Sequence, residues 1–391
     1  MPSRACIAPW PQPTPNGQRR PIGTSSAPSR SPPTSARWRR PLAARGSHAD
    51  QHPGAADRPT GASANIGVAP PVSIVVPARD EEAMLPAALA SVLAQNYEGE
   101  IEIVIADGSH GPGMAEAVRS RFPQARLIAN PDGGIAAGLN RAVAAATHDI
   151  LVRCDARCIL PPNYVRRAVA TLERTGAACV GGLQRPVGIC PFTRAVAMAM
   201  TAPLGAGGAR YRTGGPEGPT DTVFLGVWRR VTLEAIGGFD TTLLRNEDYE
   251  LAWRLRERGG TVWLDPAITV DYRPRESLAA LVAQYFEYGR WKAVMLRRHP
   301  RSLRTRQLAA PALVLGLAGS AALAAVGIAQ VAAMLPVVWL AALSVSMVVE
   351  GWRRRDPAAL LMLPALAAMH LAWGAGFWCS WPVRGRRRTV A

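Results

Sequence analysis

Lysine is almost missing from this chain: of 45 basic side chains in 391 residues, Lys292 is the only lysine. It follows Arg290-Trp291 rather than a glycine-rich loop. A P-loop needs its lysine just after a glycine, and a protein kinase needs one on an early strand, so both classes are excluded. An enzyme working through a Schiff base would have Lys292 or nothing. Cysteine is scarce too. Six cysteines without a Cys-x-x-Cys pair do not make a disulfide framework. Cys154 and Cys158 have no nearby histidine or second cysteine pair to complete a zinc site. Buried thiols in a reducing compartment are the expectation.

Acidic residues are missing from both ends, which explains the formal charge of +17. Residues 1–70 carry 9 Arg and 2 Asp, and residues 297–391 carry 12 Arg against Glu350 and Asp356. The stretch between them balances 24 basic against 24 acidic side chains. A nucleic-acid surface would put the excess on a folded domain, so no nucleic-acid partner is expected.

Residues 1–70 are rich in Pro, Ser, Gly, Ala and Arg, with no hydrophobic periodicity. Such a segment cannot bury enough apolar surface to offset the entropy of ordering, and it is expected to be a disordered tail. It also lacks the apolar stretch of a signal peptide.

From 71 to 300 short apolar runs alternate with helical stretches. Val72–Val76 precedes a helix over 82–95, and Ile101–Ala106 ends at Asp107-Gly108-Ser109. The runs at 125–129, 150–154 and 177–181 are interleaved with helices over 135–146 and 163–175. This order predicts an α/β domain with a mostly parallel, Rossmann-like sheet.

The end of the chain is different again. Leu308–Val349 runs 42 residues without a charge, and Ala358–Trp381 is a further uncharged stretch holding only Pro364 and His370 as interruptions. Three membrane segments are expected, at 308–328, 331–349 and 358–379, in a region beginning at 301. Arg297–Arg306 and Arg353–Arg355 fit the cytoplasmic side of one hairpin, whereas Arg384–Arg388 would then fall outside, so the third segment's topology is left open.

In open α/β sheets ligands gather at the carboxyl ends of the strands. Asp107 and Asp155 each follow an apolar run directly, and Asn246-Glu247-Asp248 opens a helix that Asn246 is placed to cap. Three acidic positions on one sheet edge, with no lysine beside them, point to a site for a cation, a base or a sugar.

These residues match a known pattern. Residues 72–82 (Val-Ser-Ile-Val-Val-Pro-Ala-Arg-Asp-Glu-Glu), Ala-Asp-Gly-Ser at 106–109 and Asn130…Gly134…Ala137…Asn140 resemble glycosyltransferase family 2. So do Arg-Cys-Asp-Ala-Arg at 153–157, Asn-Glu-Asp at 246–248, Gly-Gly-Phe-Asp at 237–240 and the Gln284…Tyr288-Gly289-Arg290-Trp291 run. Within the family the pattern is most similar to membrane-anchored glucosyltransferases of succinoglycan-type exopolysaccharide synthesis. The resemblance covers about 71–300 and the kind of C-terminal segments, and nothing in 1–70.

The resemblance implies a GT-A fold and an inverting glycosyltransferase of the inner membrane, multi-pass, with its catalytic domain cytoplasmic. The implied donor is a UDP-sugar, UDP-glucose first, and the implied acceptor a polyprenyl-diphosphate-linked or growing glycan beside membrane lipids. Pro77 and Ala78 would offer backbone groups to the base or ribose. Glu81 and Asp107 would accept hydrogen bonds from ribose or uracil. Each also has a plainer role, Glu81 as a favourable charge in a helix's first turn and Asp107 in an Asx-turn. Gly134 would let the chain approach the donor, and Asn140 belongs to the same motif, although a surface helix position explains it as well.

Asp155 is the metal candidate. Many family members carry Asp-x-Asp here to hold Mg²⁺ or Mn²⁺ against the diphosphate. This chain has Asp155-Ala156-Arg157, so Arg157 replaces the second acid and can itself neutralise phosphate. Asp248, with Glu247 beside it, is the implied general base for attack by the acceptor hydroxyl. Arg290-Trp291 resembles the end of the processive members' Gln-x-x-Arg-Trp, but position 287 is Glu, which weakens the case for a polymerase. It is assigned to the diphosphate or acceptor side, with a membrane-surface anchor as the other reading. The Gly205–Gly208 loop with Arg210 and Arg212 could close over the donor and hold phosphate, but an ordinary flexible loop is the preferred reading. A sugar-phosphate nucleotidyltransferase would want a glycine-rich loop where Arg79-Asp80-Glu81 stands. A degenerate membrane scaffold would not need Asp107, Asp155 and Asp248.

Overall fold

The computed structural model describes residues 69–380. The N-terminal tail and the Arg384–Arg388 cluster therefore lie outside the described residues.

The elements run β1 (Val72–Ala78), α1 (Leu85–Leu93), β2 (Ile101–Asp107), α2 (Gly113–Arg121), β3 (Arg126–Ala129), α3 (Ile135–Ala145) and β4 (Ile150–Arg153). Then come β5 (Cys158–Ile159), α4 (Tyr164–Thr175), β6 (Cys179–Pro186), α5 (Pro191–Thr201), α6 (Pro203–Ala206) and α7 (Arg210–Thr213). They are followed by β7 (Gly218–Pro219), β8 (Phe224–Arg229), α8 (Arg230–Ala235), α9 (Glu247–Glu257), β9 (Val262–Tyr272) and α10 (Leu278–Arg298). The last three helices are α11 (Ala309–Ala325), α12 (Ala329–Arg354) and α13 (Met362–Ser380).

The expected α/β architecture is present. One sheet runs β3-β2-β1-β4-β8-β6-β9-β5, with β7 added against β9. The long pairings are parallel: β1 with β2 and β4, β2 with β3, and β6 with β9. The alternation read from the sequence reveals neither β8, which inserts antiparallel between β4 and β6, nor β9, which pairs parallel with β6. Because β1 alternates faces residue by residue, Ile74 and Val76 pack under α1, α2 and α4, while Val75 packs under α3 and α9. Both faces of the sheet are covered, which is why its strands read as unbroken apolar runs.

Three helical stretches are long and apolar enough to cross a membrane: Thr305–Ala325, Ala329–Arg354 and Pro357–Ser380. At about 1.5 Å per residue each reaches the ~30 Å of a bilayer core. They are not alike. Only 6% and 11% of the first two are covered by protein, against 44% of the third. The cover comes from α5, α10 and α12, which share one core with α13 through Ala195, Met198, Leu281, Tyr285, Leu343, Leu366 and Met369.

Candidate active site

A cleft of about 1340 Å³ opens where the carboxyl ends of β1 and β4 meet the start of α9 and the middle of α10. Its wall has three parts. Pro77, Ala78, Glu81, Gly133 and Gly134 come from the β1 end and the loop before α3. Arg153, Asp155, Arg157, Glu247 and Asp248 form the second part. Leu313, Trp339, Met369 and His370 of the apolar helices form the third. The loop at Gly133 turns with φ +64, a left-handed backbone shape that favours glycine.

The charges in the second part are organised by Arg153. Its guanidinium is buried and donates to both oxygens of Asp155, at 2.7 and 3.1 Å, and to Glu247 Oε1 at 3.1 Å. Burial opposes the arginine's charge, but Asp155 and Glu247 beside it hold it protonated. Glu247 is buried as well. Burial pushes its carboxyl up to about 7, against the pull of Arg153 and with a further push from Asp248. Two carboxyl groups share this one guanidinium, and Asp248 lies near enough to act on its charge. Asp248 is exposed at the start of α9, its Oδ1 accepting from the Tyr249 amide at 2.7 Å.

Arg157 turns away from this group and donates through Nε to Glu81 Oε1 at 2.8 Å. Its Nη1 is buried with no acceptor, a donor left over at the cleft wall. Glu81 is thus tied to a cation from β5's side of the sheet rather than serving only as a charge at a helix start. Asn246 takes a left-handed turn at φ 65 and makes no cap with its side chain, which donates to the Tyr288 carbonyl at 3.3 Å instead. That corrects its expected capping role: in this backbone shape the amide reaches α10.

Not every predicted residue joins the cleft. Asp107 accepts from the Ser109 amide at 2.8 Å, an Asx-turn, and lines a smaller neighbouring cavity of about 440 Å³ that shares Arg79, Asn130, Asp132 and Gly133 with the main one. Asn140 faces elsewhere. Its amide clamps Phe239, donating to the carbonyl at 2.8 Å and accepting from the N–H at 2.9 Å, and so fixes the Gly237-Gly238-Phe239 turn. Arg290 and Trp291 do not line the cleft; they hold Glu287, which does, at 3.4 and 2.8 Å.

Further basic residues line the cleft, among them Arg212, for which phosphate binding is the less favoured reading of the sequence, and Lys292. Arg212 stacks on Tyr211 and donates to Gln184 Oε1 at 3.2 Å and to the Tyr285 hydroxyl at 3.5 Å. Arg210 instead reaches the Pro219 carbonyl, outside the cleft. Lys292 lines the cleft while being 3% exposed. Its isolation in the sequence was a signal; its burial was not legible there.

Residues 73–237 match the sequence profile described as glycosyl transferase family 2. The chain is 34% identical over 311 residues, 78% of its length, to the succinoglycan biosynthesis protein ExoA of Rhizobium meliloti, and spans 93% of that protein. This chain belongs to glycosyl transferase family 2. A more distant family relationship, 22% identity over 58% of this chain and 74% of the other, is to a dolichyl N-acetyl-α-D-glucosaminyl phosphate 3-β-D-2,3-diacetamido-2,3-dideoxy-β-D-glucuronosyltransferase of Methanococcus voltae. Among solved structures, the mannosyltransferase PcManGT from Pyrobaculum calidifontis, in complex with GDP-Man and Mn²⁺, superposes with a TM-score of 0.51. That match covers 77% of this chain and 87% of that one at 22% identity, and it shows the shared GT-A fold. The protein is therefore a glycosyltransferase, of the inverting type this family uses. One displacement at the anomeric carbon suffices for inversion, so the site needs a base and a stabilised leaving group but no nucleophile.

Proposed function

We propose that this family 2 enzyme moves a hexose from a UDP-sugar, UDP-glucose first, to a lipid-linked glycan at the inner membrane during exopolysaccharide or envelope-glycan synthesis. The observation that carries this reading is the composition of the cleft. One continuous wall holds the Asp155–Arg157 and Glu247-Asp248 groups and also Leu313, Trp339, Met369 and His370 from helices able to enter a bilayer. An acceptor that is half hydrocarbon and half sugar suits such a wall. The likeness to the succinoglycan protein supports the exopolysaccharide setting.

In this reading Asp248 is the general base, exposed in the cleft where an acceptor hydroxyl can reach it. Glu247 and Arg153 hold the start of α9 in place. Pro77, Ala78, Glu81 and Gly134 frame the nucleotide, and the Arg157 guanidinium places a positive charge at the wall where the diphosphate would lie. A divalent cation fits Asp155 as a one-carboxylate site: the side chain is 31% exposed, and each oxygen bound by Arg153 keeps a second lone pair. Mg²⁺ or Mn²⁺ there would neutralise the departing diphosphate, taking its other ligands from phosphate and water. A cytoplasmic catalytic domain is supported by the two arginine clusters. Arg306 pairs with Asp221, and Arg354 donates to Thr201 at 3.0 Å, so both ends of the α11–α12 hairpin touch the catalytic domain.

The test is UDP release by the purified protein from a panel of UDP-hexoses, with membrane extract supplying acceptor. Release that depends on the lipid fraction of the extract is expected. Release stimulated equally by lipid-free glycan would remove the lipid-linked acceptor.

A further inference from the structure

Lys292 is a buried amine that no carboxylate pairs with directly among the described residues. Its Nζ lies 3.7 Å from the centroid of the Tyr249 ring, and its hydrogen-bond partner is Met295 Sδ at 3.6 Å. The charged groups acting on it are Asp248 and Arg256 of α9, Asp221 before β8 and Arg306 before α11, with the Tyr249 ring against its Nζ. Asp221 is already taken by Arg306, with Arg304 4.0 Å away. Arg256 keeps Nε and Nη2 buried without acceptors. Cations thus outnumber anions in this corner, and burying an ammonium without a counter-charge is costly.

We propose that Lys292 and Arg306 form a subsite for the phosphate group of a lipid-linked acceptor, where the cleft meets the membrane helices. This rests on the lipid-acceptor reading above. Position separates the acceptor's phosphate from the donor's. Lys292 and Arg306 line the cleft beside Gln307, Ala309, Ala310 and Leu313, at the start of the almost uncovered span α11. Residues framing the nucleotide come from the β1 end and the loop before α3 instead. A ligand with a phosphate joined to a hydrocarbon chain matches that neighbourhood; a water-soluble nucleotide has no use for it. Burial already pushes the Lys292 ammonium down to about 7, so an arriving phosphate restores its charge.

Farnesyl diphosphate is a suitable probe, with binding to the full chain in detergent followed by titration calorimetry. Wild type is expected to bind it and, near pH 8, to take up a proton on binding, because the anion raises the lysine's affinity for one. Lys292→Met should weaken farnesyl diphosphate about tenfold or more, abolish the proton uptake, and leave affinity for UDP and uncharged farnesol unchanged. Retained UDP binding also reports that the variant folds. Should Lys292→Met lose UDP binding, the more exposed Arg306→Gln carries the same comparison. Unchanged farnesyl diphosphate binding in the folded variant overturns the proposal. An equal loss of UDP in both variants assigns the subsite to the donor and overturns it too. If wild type binds no farnesyl diphosphate while lipid extract still drives UDP release, this subsite fails and the acceptor reading stands.

Discussion

At the scale of single residues, the site is governed by one guanidinium serving two carboxylates, with a third close by. Asp248 is the one left exposed, so its removal should damage chemistry more than binding. Asp248→Asn is expected to lower kcat by about 10² to 10⁴, with UDP-sugar affinity retained in a titration. Glu247 has the opposite character. Its carboxyl binds protons more tightly in the folded protein, at about 7, than its ordinary value of 4.5, so stability present below pH 4.5 is lost as pH rises through 7. The melting temperature of wild type should therefore fall between pH 5 and 8, and that of Glu247→Gln should fall less. Asp155 has no second acid beside it, since Arg157 stands two residues on. EDTA should abolish UDP release and added Mg²⁺ or Mn²⁺ restore it; full turnover in EDTA would leave Arg157 as the diphosphate's counter-charge.

At the scale of elements, α10 and α13 decide the architecture, and they meet through glycines. A Cβ on Gly289 would lie 1.8 Å from the Trp373 carbonyl oxygen, and one on Gly376 would lie 2.0 Å from that of Phe286. The two backbones touch where larger residues would hold them apart, as small residues allow in membrane helix pairs. Gly289→Ala should cost about 1–3 kcal/mol, seen as a lower melting temperature in detergent. Gly319 makes the contrast: nothing lies within 4 Å of its Cβ position on α11. Gly319→Ala should be neutral, or stabilising by up to about 1 kcal/mol from helix propensity. The third apolar segment is thus a helix with a protein side along α10, whatever its relation to the bilayer.

At the scale of the whole molecule, the α/β region and the apolar helices are not separable at residue 300. Leu281 and Tyr285 of α10 and Ala195 and Met198 of α5 are buried in the core they share with α13. A fragment spanning 69–300 exposes that face and should aggregate without detergent, whereas the chain through 380 should be monodisperse in it, as size-exclusion chromatography would read. The same junction brings Trp339, Met369 and His370 into the wall of the candidate cleft.

The sequence by itself determined what depends on neighbours along the chain. β-branched runs set β1 and β2, uncharged length set the three apolar helices, and Asp155 and Asp248 sat at ends that sequence order could place. The acids' partners were decided only by tertiary structure, because Arg153 and Glu247 lie 94 positions apart and Arg157 and Glu81 76. Asn140 and Arg290-Trp291 carry family motifs, yet their side chains hold a turn and Glu287 rather than the cleft. The antiparallel β8, the glycine contact of α10 with α13 and the buried position of Lys292 share one cause. Each is a pairing of distant segments, and neither periodicity nor charge count carries that information.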